Sequence, residues 1–211
     1  MSLRGIAFAR LRQLVLPGDR LELIARELDG ARVRIDLKRD GELVANGELV
    51  LGAPGESGEA ASASVASIRP ETAFPALDEL LPHRAPMRFL TAILQQTAQS
   101  LTCAARIPQA CALVAGGSAP PVAVIEAAAQ AAAAWEALRR WRDAGIATPR
   151  IGYLVALREV VFHAAVVPAE RDLQVSVSLE AAAPPLTHYR FEATQDGHTL
   201  ARGTIATFLA T

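Results

Sequence analysis

Two polar side chains one helical turn apart, Glu126 and Gln130, interrupt a run of alanines between positions 122 and 135. Residues i and i+4 of an α-helix share a face, so the carboxyl and amide groups are expected side by side. A carboxylate in apolar surroundings can serve as a general acid or base, and burying it unpaired is costly. We therefore take Glu126 as the candidate catalytic or assisting carboxylate. A glutamate bonded to loop amides for structure alone is the alternative that the sequence leaves open.

Histidine and cysteine, which supply most bases, nucleophiles and metal ligands, are scarce in this chain. The histidines are His83, His163, His188 and His198, and the cysteines are Cys103 and Cys111. They form no C-x-x-C pair and no ligand-spaced group, which argues against a zinc site and a disulfide framework. We therefore predict no metal, no cofactor and a location in the reducing cytoplasm.

The helix that must position these two polar side chains is predicted over residues 122–144. A proline pair precedes it and Gly145 follows it, which suits a helix start and a helix end. Alanine dominates its sequence, so the helix is narrow enough to lie inside a curved sheet. Trp135, Leu138 and Trp141 follow at helical spacing and are predicted to be core or interface residues.

Short elements are predicted on both sides of this helix. Before it we predict a short helix, two strands and a loop, at residues 74–81, 87–96, 100–107 and 108–121. After it we predict four strands, at residues 151–164, 173–181, 186–194 and 199–209. This order predicts an α+β fold in which one curved antiparallel sheet wraps a helix.

The amino-terminal part of the chain has strand patterns without a long helix. Residues 32–38 alternate charged and apolar side chains, which is the period of a strand with one wet face. Asp40 and Gly41 indicate a type I′ hairpin, because that turn needs a positive φ at both central positions. We predict an antiparallel β-meander over residues 1–52.

This meander is repeated at the end of the chain. Residues 15–21 match 166–173, and residues 40–49 match 196–205. A repeat on this scale indicates a duplicated domain, and only the second copy is preceded by a helix.

The two copies are separated by small and polar residues from position 53 to 69, which lack an apolar period and predict a flexible linker. We thus predict a partial domain at 1–52, a linker at 53–70 and a complete domain at 71–211. The exposed strand edges of the partial domain need a partner. Its own chain, a symmetry mate and a front half outside this sequence all remain open, as does the question of truncation.

The overall charge excludes some classes of partner. The formal net charge is −1, the pI is about 6.4, and 51% of the residues are apolar. Such a chain has no global basic field for nucleic acid. The longest apolar run, residues 122–135, is interrupted by polar side chains and is too short to span a bilayer.

Three segments of the complete domain resemble β-hydroxyacyl-acyl-carrier-protein dehydratases of the hotdog fold. Residues 81–87 read LPHRAPM, residues 120–130 read PPVAVIEAAAQ, and residues 150–159 read RIGYLVALRE. The last is similar to dehydratase-like proteins of aryl-polyene and xanthomonadin-type pigment pathways. Residues 1–52 resemble the carboxyl-terminal half of the companion dehydratase. The resemblance implies a hotdog fold preceded by half of a second hotdog.

The resemblance also implies an incomplete catalytic pair. In these dehydratases a loop histidine removes the C2 proton, a helix carboxylate assists loss of the 3-hydroxyl, and a backbone amide polarises the thioester carbonyl. Glu126 falls on the carboxylate, whereas the histidine position, 14 residues earlier, is Ala112. His83 and the other histidines are expected to be structural. The acyl or thioester contacts implied are Gly116, Gly117, Pro121, Val122 and Gln130.

Arginines near the end of the predicted helix suggest a second contact. Arg139, Arg140 and Arg158 are our candidates for an acidic carrier protein or its phosphopantetheine phosphate, with Arg142 and Arg150 nearby. A solvated face that also suits the helix dipole is the plainer alternative.

Three functions follow as hypotheses. The first is a catalytically impaired dehydratase-like protein that partners or scaffolds an active dehydratase, and lack of a general base favours this hypothesis or the third one below. The second is an active dehydratase or thioesterase that uses Glu126 with water or with a histidine of another subunit. The third is a non-catalytic acyl-binding module. The resemblance implies a homodimer or heterodimer of hotdog domains whose sheets continue across the interface. It also implies an acyl thioester or acyl carrier protein as ligand.

Overall fold

The structure is a computed structural model that describes residues 2–53, 74–145 and 148–209. These residues form an α+β architecture with one long helix, as expected. The predicted linker at 53–70 lies outside the described residues apart from its first position. The helices are α1 (Leu77–Leu80) and α2 (Ala123–Ala144). The strands are β1 (Ser2–Leu11), β2 (Glu22–Asp29), β3 (Arg32–Arg39), β4 (Glu42–Gly52), β5 (Leu90–Gln96), β6 (Ser100–Arg106), β7 (Ser118–Ala119), β8 (Gly152–Phe162), β9 (Val167–Pro168), β10 (Asp172–Ala183), β11 (Leu186–Gln195) and β12 (His198–Leu209).

Ten of these strands form one antiparallel sheet in the order β2-β3-β4-β1-β8-β12-β11-β10-β6-β5. The carboxyl-terminal strands pack around α2, which contacts β5, β6, β10, β11 and β12. Trp135 and Leu138 of α2 are fully buried, and the Trp135 ring meets Tyr189 of β11 edge to face at 5.8 Å. A long helix wrapped by a curved sheet confirms the predicted hotdog fold.

Local signals place the element ends where the sequence predicts them. Gly145 takes a left-handed conformation (φ 69°) and donates its N–H to the Trp141 carbonyl, which closes α2. Asp40 and Gly41 have φ of 51° and 84°, as a type I′ turn requires. The predicted amino-terminal meander is present as β1–β4.

The amino-terminal meander joins the hotdog through one strand pair. β1 runs antiparallel to β8, with Gly5 opposite Val161 and Ala9 opposite Leu157. A Cβ on Gly5 would lie 2.5 Å from the Val160 carbonyl oxygen, so glycine permits this close approach. The sequence left three packing partners open for the meander. In the structure it pairs with the hotdog domain of its own chain.

This arrangement corrects one expectation about the dimer. We expected the sheet of the complete domain to continue into a second chain, as in paired hotdogs. The edge of β8 is instead occupied by β1 of the same polypeptide. The backbone groups of that edge are already hydrogen-bonded, so a second hotdog cannot pair there without displacing β1.

One face of the sheet is apolar from its β2 edge to the strands under α2. Directly paired residues of antiparallel strands point to the same side. A row of such residues crosses seven neighbouring strands: Ala25, Ile35, Gly47, Ala9, Leu157, Ile205 and Tyr189. Helix α2 covers this face over the carboxyl-terminal strands. Over β2 the same face is open within the described residues, and Leu23 is 61% exposed.

Neither helix in the described part of the chain is long and apolar enough to cross a membrane. Within the same residues, no group of three or more histidine, cysteine or acidic side chains is arranged to hold a metal ion.

Candidate functional site

A groove of about 900 Å³ runs along one side of α2. The helix contributes a stripe at helical spacing, consisting of Glu126, Ala129, Ala133, Glu136 and Arg140. The opposite wall comes from Leu80, Pro82 and His83 at and after the end of α1, together with the start of β8, the β10–β11 turn and the end of β12. Alanine side chains leave room beside the helix for an extended chain.

Gln130 organises the end of the groove where α2 begins. Its side chain is fully buried. The amide Nε2 donates to Met87 O at 2.7 Å and to Glu126 Oε1 at 2.8 Å. The amide oxygen accepts from the N–H of Phe89 at 2.9 Å and, less closely, of Leu90 at 3.4 Å. Gln130 thus ties the helix to the chain before β5 and fixes one oxygen of Glu126.

Glu126 also faces the histidine of the LPHRAPM segment. His83 Nε2 lies 3.4 Å from Glu126 Oε1, and each side chain is 32% exposed. His83 Nδ1 is buried and has no hydrogen-bond partner in the described part of the chain. Since one ring nitrogen points at the carboxylate and the other is enclosed, His83 is placed to orient Glu126. The sequence singled out both residues but did not predict that they meet.

The loop before α2 stands apart from the groove lining. Ala112 is exposed in a turn, and its neighbour Cys111 contacts Met87 through the two sulfur atoms at 3.8 Å. Gly116 and Gly117 have positive φ of 58° and 78° in the turn that leads into β7. The acyl-contact roles that the resemblance implies for this loop remain predictions.

The two residues at the start of α2 are also outside the groove lining. Pro121 is buried, whereas Val122, the residue that caps the helix, is 37% exposed. Their implied thioester contacts, like those of the loop glycines, remain predictions.

The candidate arginines divide between two places. Arg139 and Arg140 line the far end of the groove together with Arg150. Arg158 is exposed on β8, next to Leu157, and successive strand residues point to opposite faces. Arg158 therefore lies on the other face of the sheet from α2, and the predicted three-arginine patch is not brought together. A carrier-protein contact by each of these residues remains a prediction.

Burial changes the protonation chemistry at the far end of the groove. Desolvation lowers the pKa of Arg140, and the nearby positive charge of Arg150 lowers it further. The Tyr189 hydroxyl donates to Glu136 Oε1 at 2.5 Å. Burial and this carboxylate raise the pKa of Tyr189 above its ordinary value, so the phenol stays neutral. The helical spacing of Glu126, Glu136 and Arg140 was the one sequence signal that could have indicated a common wall.

The cysteines give no nucleophile to this site. Cys103 is fully buried in β6, and burial raises the pKa of its thiol to about 12. A thiol with that pKa is not a thiolate at neutral pH, and the thiolate is the reactive form.

The fold and the groove define the class of protein. A long helix wrapped by one antiparallel sheet, with a carboxylate near the helix start facing a groove, is the arrangement of the hotdog dehydratase superfamily. Residues 75–211, more than half of the chain, match the sequence model of the ApeP-like family, described as ApeP dehydratase. The chain belongs to the ApeP-like family. No curated protein sequence matches it.

Solved structures with the same fold cover most of the chain. The dehydratase heterocomplex ApeI:P from Xenorhabdus doucetiae is 21% identical with a TM-score of 0.60, covering 66% of this chain and 93% of that chain. The dehydratase domain of RzxB from Pseudomonas fluorescens is 15% identical with a TM-score of 0.66, covering 98% and 77%. A monomeric dehydratase domain from a trans-AT polyketide synthase split module is 14% identical with a TM-score of 0.71, covering 99% and 82%.

Proposed function

We propose that this chain is a (3R)-hydroxyacyl-carrier-protein dehydratase-like protein that cannot complete dehydration alone and acts as partner of a dehydratase that supplies the general base. The observation that carries the proposal is Glu126, a carboxylate fixed by Gln130 at one end of the groove. A carboxylate in this position suits protonation of a departing 3-hydroxyl. The acyl thioester would lie in the groove along α2.

In this proposal, the described residues near Glu126 supply no base. Ala112 has no titratable side chain. His83 directs Nε2 at Glu126, and its Nδ1 is enclosed. Both cysteines are buried. A base must reach the C2 proton directly or through one water, and in this proposal a second polypeptide supplies it.

The uncovered apolar face supports such a partner. The face of the sheet that α2 covers in the second copy is open over β2 within the described residues. The repeat gives the first copy a matching meander without a matching helix. We expect a helix and strand pair from a partner hotdog to cover this face, as α2 covers the second copy. The ApeI:P complex, an assembly of two proteins, supports such a partner.

The test is a reconstitution with a 3-hydroxyacyl carrier-protein thioester. The chain is assayed alone and with the ApeI protein of the Xenorhabdus doucetiae complex, following loss of water and release of free thiol. We expect no dehydration by the chain alone and activity of the mixture above that of ApeI alone. Glu126→Gln should abolish the gain, while Glu79→Gln, the same change on exposed α1, should leave it intact. A mixture no more active than ApeI would contradict the proposal.

A second candidate is an active enzyme that uses Glu126 with His83, favoured by their 3.4 Å contact. In that case the chain alone would dehydrate the substrate, and both Glu126→Gln and His83→Ala would abolish turnover. Hydrolysis of the thioester without dehydration would instead identify a thioesterase. Binding without either reaction would identify an acyl-binding module.

A further inference from the structure

The far end of the groove holds three positive charges against one acidic side chain. Arg139, Arg140 and Arg150 line it, and Glu136 is the acidic side chain there. Glu136 already accepts the hydroxyl of Tyr189. Arg139 lies over the Trp135 ring, with its guanidinium carbon 4.9 Å from the ring centre. No salt bridge joins any of the three arginines to a described carboxylate.

Arg140 is the informative member of this group. Its Nε and Nη1 atoms are buried and have no hydrogen-bond partner in the described residues. Buried N–H groups are normally paired, and an unpaired group on a charged side chain is especially costly. The helix dipole explains an exposed cation such as Arg142, but it does not explain why two donors of Arg140 are enclosed beside a second guanidinium. Such donors fit an acceptor that arrives from outside the chain.

We propose that Arg140 and Arg150 form an oxyanion subsite that binds a phosphate ester or a carboxylate at one end of an extended ligand in the groove. Guanidinium groups match both anions because their N–H donors form a planar fork. A bound anion would also relieve the repulsion between the two like charges. Binding of an anion follows from the arginines alone, whereas the position of a thioester at the other end of the groove rests on the proposed function.

The length of the groove fits a two-ended ligand. Glu126 and Arg140 are 14 positions apart on α2, which corresponds to about 21 Å at 1.5 Å per residue. The anion could be the phosphate of a pantetheine arm that enters at the arginines, or a carboxylate at the far end of an acyl chain. Both sources present the same chemistry to Arg140, and a binding experiment can separate them.

The experiment titrates the purified full chain with two matched pairs of probes and follows calorimetric heat and tryptophan fluorescence, since Trp135 lies beside Arg139. The first pair is 4′-phosphopantetheine and pantetheine, and the second is decanedioate and decanoate. We expect the anionic end group of one pair to tighten binding at least about tenfold, and added salt to remove that gain. The pair that shows the gain identifies the source of the anion.

Variants assign the effect to the site. Arg140→Gln and Arg150→Gln should each remove the gain, and Arg142→Gln, a matched change on the exposed last turn, should preserve it. Circular dichroism and melting curves verify that the variants fold. The proposed subsite would be overturned if the anionic and neutral-ended probes of both pairs bound with equal affinity. It would also be overturned if Arg140→Gln and Arg142→Gln had equal effects on the gain. Glu126→Gln should leave the gain unchanged, so a failed dehydration assay and a failed anion site give different results.

Discussion

Replacing Gln130 by leucine should destabilise the fold, because one buried amide satisfies backbone groups of a distant segment. The wild-type side chain accepts from Phe89 N and donates to Met87 O, and neither backbone group has another partner among the described residues. Leucine is similar in size and apolar, so the change removes the hydrogen bonds without opening a large cavity. The Glu126 carboxylate would lose its 2.8 Å donor as well.

The magnitude follows from the two backbone groups that lose their partners. A buried donor left unsatisfied costs about 1–3 kcal/mol, and the part-buried Met87 carbonyl costs less, so Gln130→Leu should lower the free energy of unfolding by about 1–4 kcal/mol. For a chain of this size each kcal/mol corresponds to about 2–4 °C in Tm, so the melting temperature should fall by at least about 2 °C.

Urea unfolding followed by circular dichroism measures this change directly. The midpoint should fall while the slope with urea stays the same, because the unfolded chain is hardly altered. Gln95→Leu makes the same chemical change at an exposed position of β5 and serves as the control. A loss of stability in Gln130→Leu no larger than in Gln95→Leu would refute the role assigned to the network.

Three further outcomes are expected. Gly203→Ala should lower the free energy of unfolding, measured with urea, by about 1–3 kcal/mol, because the new Cβ would lie 2.8 Å from the Cα of Val160. The control Gly152→Ala should lower it less, because the nearest atom to its Cβ is 3.6 Å away. Burial raises the pKa of Cys103 from 9.0 to about 12, so the stability that its neutral thiol contributes is complete below pH 9 and lost as the pH rises toward 12. Cys103→Val should flatten that alkaline decline, and an unchanged pH profile would argue against it. Leu23→Glu should weaken association with a partner dehydratase at least about tenfold while leaving Tm nearly unchanged, because the side chain is 61% exposed in the free chain; unchanged association would move the partner to another surface.

Local sequence signals were sufficient for most of the elements. The hairpin at Asp40 and Gly41 and the end of α2 at Gly145 each depend on backbone conformations that few residue types adopt readily. The alternation in residues 32–38 gave β3 for a similar reason, since side-chain period follows strand geometry. Such features can be predicted because their cause lies within a few neighbouring residues.

Long-range pairings were not available from the sequence. Gln130 bonds to backbone groups more than 40 positions earlier, and nothing near Met87 indicates that its carbonyl needs a side-chain partner. The pairing of β1 with β8 joins two strand edges that are far apart in the sequence. The sequence left several packing partners for the amino-terminal meander equally plausible. The contact of His83 with Glu126 likewise depends on how the segment before β5 crosses the start of α2.

The pairing of β1 with β8, called the seam below, joins the amino-terminal meander to the hotdog domain within one chain. This changes how these two halves respond to concentration and to mutation. Two separate subunits joined through the same strands would dissociate on dilution, whereas halves joined by one polypeptide meet at a fixed effective concentration. In a symmetric dimer every interface substitution occurs twice. Here a substitution such as one at Gly5 occurs once, against the unchanged carbonyl group of Val160. Each side of the seam is therefore free to diverge separately, and one copy can lose parts of the fold that the other retains.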